Sequence, residues 1–235
     1  MKSKKKILAI IPARANSKRL KNKNILTING KPMIDWTIEE VFESKLIYSI
    51  IISTDIKYLF RRQKYQSMLL KRPKELCRDD SPLDDALRHA VEKAEKRDNC
   101  KYDYVLMTHC NIPIRKEGEI DKLIKIAIDN PDATSVVTGV EINEPPSWMF
   151  TMAQDGYFYR ASNDTRFRRQ DFNLWNIDGA IEIIRTDILM KADGQKAFDY
   201  FGDKILIIPH GRKYSLEIDD QETFNYVEYL MKNNK

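Results

Sequence analysis

The chain of 235 residues is short of cysteine, histidine and glycine, with three, three and eight of them, and each shortage removes a class of explanation. Cys77, Cys100 and Cys110 are odd in number and show no C-x-x-C spacing, which argues against a disulfide framework and for a reducing, cytoplasmic setting. His89, His109 and His210 lack the spacing of a zinc site. No apolar run approaches the ~20 residues of a membrane-spanning helix. The two glycine-rich phosphate cradles, G-x-G-x-x-G and G-x-x-x-x-G-K-[ST], are both missing, so a phosphate bound by this chain is held mainly by side-chain charge. Internal repeats and low-complexity linkers are also lacking.

What is present is an ordinary globular composition, 42% hydrophobic and 32% charged, with a modest net charge of +5. Lys2 to Lys6 followed by "ILAII" imitates a secretory leader. The apolar run is short, is broken by Pro12 and is followed by Arg14 inside the would-be cleavage site, so a buried first strand is expected instead.

The pattern then alternates. "KILAIIPA" (6–13), "IYSIIISTD" (47–55), "YDYVLMTH" (102–109) and "ATSVVTGVEI" (133–142) are apolar runs of strand length, the signature of strands covered on both faces. Between them lie helical stripes: Ile34, Ile38, Val41 and Phe42; Leu83, Leu87, Ala90, Val91 and Ala94; Ile120, Leu123, Ile124 and Ala127. Ser81 is expected to cap the second helix, with Pro82 as its first residue. This alternation predicts an α/β fold with a mostly parallel open sheet and right-handed crossovers. From about 143 to 180, prolines and short alternating runs predict hairpins that leave the sheet. The chain then resumes with "AIEIIRTDIL", "KILIIPH" and a helix from about 220 whose apolar face holds Phe224, Val227, Leu230 and Met231.

Ligands of an open parallel sheet sit beyond the carboxyl ends of its strands. "IPARANSKRLKNKN" (11–24) stands there, with Arg14, Lys18, Arg19, Lys21 and Lys23 and no glycine. Two readings stand for it, a solvated basic surface or a phosphate loop in which Arg14, Lys18 and Lys23 hold a triphosphate through charge-assisted bonds. Triphosphate chemistry calls for a divalent cation. Glu217 and Asp219, two apart in an extended stretch, share one face and suit a hard cation, while Asp79–Asp80 and Asp84–Asp85 are further carboxylates near strand ends. Asp219 with Glu222 also matches a capping box. His109 either lines the pocket or packs, and its neighbour Cys110 points to the opposite face of the strand, which argues against a nucleophilic pair. Trp36, Trp148 and Trp175 read as core or interface residues.

The ordered set "IPARANSKRLKNKN", "ISTD" (52–55), "KRPKELCRDDSPLDDALRHAVE" (71–92), "CNIPIR" (110–115), "RRQDFNLWNIDGAIEI" (168–183) and "LEIDDQETF" (216–224) resembles the CMP-sialic acid synthetases, and the likeness covers nearly the whole chain. The resemblance implies one cytidylyltransferase domain over 1–235, with a Rossmann-like nucleotidyltransferase fold, a projecting dimerisation arm at the excursion, and a homodimer. It implies CTP as substrate, Mg2+ as cofactor, and transfer of CMP to an acidic keto-sugar of the nonulosonic type. By position it assigns Arg14, Lys18, Lys23, Asn24 and Arg72 to the nucleotide, with His109 beside it. It assigns Asp219 and Glu217 to the metal, and Arg168, Arg169, Gln170 and Asp178 to the sugar. Arg14, Lys18 and Asp219 are the expected catalytic residues. The chain departs from the pattern at His109 and Asn111 and, in the acceptor half, at Asp178 and Glu182. A metal-dependent glycosyltransferase, a nucleic-acid-binding module and a relative altered into a binding or structural subunit are the rival readings. With the first reading go small-molecule partners, and neither nucleic acid nor membrane.

Overall fold

A computed structural model describes residues 4–15, 17, 19–166, 168–193 and 196–233. The first apolar run forms β1 (Ile7–Ala13). A basic loop leads from it to the two-residue strands β2 (Thr27–Ile28) and β3 (Lys31–Pro32), and then to α1 (Met33–Glu43). β4 (Ser49–Thr54), β5 (Leu69–Lys71), α2 (Leu83–Asp98), β6 (Tyr104–Met107), α3 (Glu119–Asp129) and β7 (Ser135–Glu141) follow. After a small hairpin of β8 (Phe150–Met152) and β9 (Phe158–Arg160), the chain returns as the long β10 (Trp175–Arg185). It ends with α4 (Thr186–Leu189), β11 (Ile205–Pro209) and α5 (Gln221–Asn233).

Among the described residues, the main sheet runs β11-β7-β10-β6-β1-β4-β5. Every neighbouring pair is parallel except those of β10, which is antiparallel to both β6 and β7. The predicted mostly parallel α/β sheet is therefore present, with one reversed strand. The chain goes from β1 to β4 on one side of β1 and then crosses to β6 on the other, which places a topological switch point at the carboxyl ends of these strands.

Both sheet faces are buried. α1 and α3 pack Ile34, Ile38, Val41, Ile120, Leu123 and Ile124 against one face, and α2 packs Leu87, Ala90, Val91 and Ala94 against the other. β1 is sandwiched between them and every residue of it except Pro12 is at most 1% exposed, which explains why it reads as a continuous apolar run instead of an alternating one.

Several sequence expectations are corrected. Phe42 falls beyond the edge of the α1 stripe and is 54% exposed. Ser81 does not cap α2: its hydroxyl donates to the Glu75 carbonyl, and the extended Pro82 precedes the first helical residue, Leu83. Asp219 is not the cap of α5. Asp220 takes that role, its Oδ1 accepting the Thr223 N–H at 2.8 Å while the Thr223 hydroxyl lies 3.3 Å from the Asp220 N–H, a reciprocal pair that leaves the Asp219 carboxylate free for other partners. The excursion from the sheet is shorter than expected, since β10 already begins at Trp175. Its two ends are tied together where Ile142 N–H donates to the Leu174 carbonyl.

Candidate active site

β1 ends at Ala13, and the loop after it is pinned without glycine. Ala15 N–H donates to Asp55 Oδ1 at 2.7 Å, and the Asn24 side-chain amide donates to the Arg14 carbonyl at 3.0 Å. Asn22 supplies the left-handed turn, at φ 57°. These anchors bend the loop over the sheet edge and turn its cations inward onto a cavity of about 400 Å3.

The walls of that cavity come from five places on the chain, one of them Leu83 at the start of α2. Pro12 comes from β1 and Arg14, Arg19, Lys23 and Asn24 from the loop after it, Arg72 from the segment after β5, His109 and Asn111 from the loop after β6, and Glu217 and Asp219 from the stretch before α5. Ile218, fully buried against Ile28, Met33 and Val227, sends its two neighbours the other way. Glu217 and Asp219 thus share one wall, and the Asn111 amide bridges them at 2.7 Å to Glu217 Oε1 and 3.4 Å to Asp219 Oδ1.

The electrostatics divide the cavity into a cationic and an anionic wall that already touch. Lys23 Nζ lies 2.5 Å from Asp219 Oδ1 and Arg19 Nη1 3.7 Å from Oδ2. Arg14 Nη1 lies 2.8 Å from Asp79 Oδ1, which places the Asp79 carboxylate beside the loop. Arg72 is the most buried of these cations, 5% exposed. It donates to the Ser53 hydroxyl at 3.1 Å and the Ser53 carbonyl at 2.8 Å, and among the described residues no carboxylate comes within ion-pair distance of it. Burial lowers its pKa, Cys77 and the Asp55 charge partly offset this, and the Arg14 charge adds to the lowering. A buried cation without a counter-ion is costly unless an anion joins it.

His109 stands in the cavity wall as a neutral imidazole. Burial, then the charges of Arg115 and Lys23, bring its pKa down to about 4, so near neutral pH one ring nitrogen donates and the other accepts. Burial pushes the Cys110 thiol up to about 12; it stays protonated, and a thiolate nucleophile is excluded.

Of the residues expected from the sequence, Arg14, Lys23, Asn24, Arg72, His109, Glu217 and Asp219 all line this cavity. Lys18 lies outside the described residues. Arg168, Arg169 and Gln170 sit on the exposed excursion, where Arg168 pairs with Asp171 at 2.8 Å. Asp178 does not line the cavity. Its carboxylate is 2% exposed and is engaged by Thr138, Ala180, His210 and Ser215, so none of its four bonds is left for a sugar. Sequence reasoning missed Asp55, which anchors the loop, and used Asn111 only as a departure. Their shared signal was position, since Asp55 directly follows β4 and Asn111 lies in the loop that leaves β6.

The cytidylyltransferase family profile matches residues 8–230. The chain belongs to the cytidylyltransferase family. It is accordingly a CTP-dependent nucleotidyltransferase, and the basic loop, Arg72 and the acidic wall all fall inside the matched span. The chain is 28% identical over 234 residues to the CMP-N,N'-diacetyllegionaminic acid synthase of Legionella pneumophila, with 98% of both chains covered. It is 30% identical over 229 residues to the N-acylneuraminate cytidylyltransferase of Streptococcus agalactiae, covering 94% of this chain and 52% of that protein. This chain thus spans about half the length of the streptococcal relative. Its fold matches that of a CMP:2-keto-3-deoxy-manno-octonic acid synthetase complexed with CTP, at a TM-score of 0.73 and 18% identity, with 98% of this chain and 100% of the other covered.

Proposed function

We propose that the protein transfers CMP from CTP to the hydroxyl of an acidic keto-sugar of the nonulosonic type, releasing pyrophosphate. The observation that carries this reading is the meeting of cationic and carboxylate walls in one cavity at the switch point, where Lys23 pairs with Asp219. The named activities of the Legionella and Streptococcus relatives, one on a legionaminic and one on a neuraminic acid, support the acceptor class.

In the reaction a sugar oxygen attacks the α-phosphorus in line, a P–O bond to that oxygen forms, and the bond to pyrophosphate breaks. Arg14, Lys23 and Arg72 neutralise charge on the triphosphate as it redistributes toward the leaving group, and Lys18 is assigned to the same task by its place in the loop. The His109 imidazole, neutral and fixed, offers one donor and one acceptor to a polar edge of the bound substrate.

The acidic wall offers a hard divalent cation two carboxylates, although among the described residues no group of three or more His, Cys, Asp or Glu gathers to hold a metal. It presents two carboxylates and an amide in place of a closed cage, the arrangement that suits Mg2+ when waters and substrate phosphates complete its shell. The Lys23 ammonium on Asp219 stands in for a cation at that position. Asp219 and Glu217 are the residues that would hold the metal, with Asn111 orienting both. Bound there, Mg2+ would supply Lewis-acid polarisation of phosphate oxygens and a lowered pKa for the attacking hydroxyl.

The reading extends to a single domain over 1–235 with an arm, to a homodimer and to the cytoplasm. The hairpin of β8 and β9 presents Phe150, Met152, Tyr157, Phe158 and Tyr159, each more than half exposed, and an apolar patch of this kind favours a protein contact. In a dimer, Arg168, Arg169 and Gln170 of one arm would approach the sugar in the partner's cavity; sedimentation velocity reads the dimer directly. Among the described residues no helix is long and apolar enough to cross a membrane.

The test is pyrophosphate release with Mg2+, each of the four nucleoside triphosphates and a panel of acidic keto-sugars, omitting each component in turn. Release that needs CTP together with one keto-sugar is the expected result. Release of a nucleoside diphosphate from a sugar nucleotide, the glycosyltransferase outcome, would overturn the reading.

A further inference from the structure

β10 carries an irregularity next to the cavity. Ile177 pairs with Gly139 and Glu182 with Val137, so residues 178 to 181 face Thr138 alone and bulge out of the ladder. The Thr138 hydroxyl closes the bulge from one side, donating to Asp178 Oδ1 at 2.7 Å and accepting the Ile181 N–H at 3.1 Å. From the other side the Thr108 hydroxyl donates to the Ala180 carbonyl at 2.7 Å. At the crest is Gly179, with φ 73°. A methyl group there would come within 2.8 Å of His109 Cδ2, so the crest of the bulge lies against the imidazole in the cavity wall.

Behind the bulge is a charged cluster with no place in the chemistry so far. His210, just past β11, sits between two carboxylates, with Nε2 2.5 Å from Asp178 Oδ2 and Nδ1 3.4 Å from Glu119 Oε2. The three side chains are 2%, 2% and 4% exposed. Burial pulls the His210 pKa down, but its hydrogen bonds to Asp178 and Glu119 and their charges outweigh this and hold it up at about 9. Ser215 adds a 3.1 Å hydrogen bond to Asp178 Oδ2. Buried ionic clusters contribute little stability beyond what a well-packed apolar substitute gives, so stability alone is a poor reason for this one. Its location is a better one: Asp178 is the first residue of the bulge, and it ties that bulge to α3, β7 and the end of β11.

We propose that Asp178, His210 and Glu119 are positioning residues, a buried clamp that sets the Gly179 crest and through it holds His109 in the wall of the nucleotide cavity. The clamp touches no substrate and acts only through the crest. The proposal rests on the reading of that cavity as the CTP site.

The test uses Asp178→Asn and Thr138→Val in the intact protein. The second variant removes the hydroxyl that closes the bulge and leaves every charge in place, so it serves if the first folds poorly. Three readouts are taken: melting temperature, CTP affinity by calorimetry in EDTA, and the imidazole resonances by NMR, where three histidines give a simple spectrum. Both variants are expected to shift the His109 resonance and to weaken CTP binding by about fivefold or more, as residues coupled through contact do. In a His109→Ala background the same changes should still lower the melting temperature but no longer affect CTP affinity. An unmoved His109 resonance, or a loss of CTP affinity of equal size in both backgrounds, overturns the clamp. If the wild-type protein binds no CTP, the reading of the cavity fails by itself, and the His109 resonance still decides whether the clamp acts on that ring.

Discussion

The β1 loop borders the cavity and the β10 bulge backs its wall by lying against His109, and the two are built in opposite ways. The loop puts its charges where they can be reached: Arg14, Arg19 and Lys23 come from ten consecutive residues, and their partners are Asp79 beside the loop and Asp219 on the facing wall. The bulge hides its charges, since Asp178, His210 and Glu119 come from three distant segments and are closed off from solvent. Charge that faces a cavity is available to a ligand; charge that is buried and fully paired fixes backbone. The difference separates the groups that meet the substrate from those that hold them in place.

Substitutions sharpen that division, beginning with the largest expected effect. Asp219→Asn removes the carboxylate that faces Lys23 and should cut turnover on the order of 10²–10³-fold, as loss of one electrostatic stabiliser does, while CTP affinity in EDTA stays within a few-fold. Pyrophosphate release and calorimetry give the two numbers, and equal losses in both would place Asp219 in simple nucleotide binding. Next is Arg72→Ala. One charge-assisted contact is worth ~1.5–3 kcal/mol, so CTP affinity should fall by roughly 10-fold to 150-fold. Arg168→Ala on the exposed excursion should leave CTP affinity within about twofold, as surface changes do, and any effect should appear in the KM for the sugar.

The smallest effect is one of stability against pH. His210 in the folded chain has a pKa of about 9, above the ordinary ~6.5. Its contribution is therefore complete below about pH 6.5 and is lost as the pH rises through 9. Burial raises the Asp178 pKa, but His210, then Ala180 and Thr138, outweigh it and hold the group below the usual carboxylate range, so its contribution fades instead as the solution becomes acid. Between pH 6.5 and 9.5 the melting temperature should fall, by roughly 2–4 °C for each 1 kcal/mol lost, and the fall should be smaller in His210→Gln. Parallel curves for the two proteins would remove the charged imidazole from the account.

How much was legible in the sequence follows the same line. Buried strands such as β1 and β4 are continuous apolar runs, and helices such as α3 carry complete stripes, so both could be read locally. The antiparallel course of β10 could not be, because direction is set by the long excursion before it and not by its own residues. In the cavity, the loop cations were visible because they crowd behind the first buried strand, and the Glu217-x-Asp219 pair because its spacing puts both on one side of an extended stretch. Asp178 was misplaced for the opposite reason. Whether a carboxylate meets ligand or protein depends on His210, Ser215 and Thr138, which reach it from elsewhere in the fold.

The account stands on the claim that the β1 loop and Arg72 form the CTP site. Its most direct measurement is a calorimetric titration of CTP, in EDTA, into the wild-type protein and into an Arg72→Ala/Lys23→Met variant shown by circular dichroism to be folded. The account predicts saturable CTP binding by the wild type and a loss of well over tenfold in the variant. Equal affinity in the two proteins would contradict it and would move the nucleotide away from this cavity.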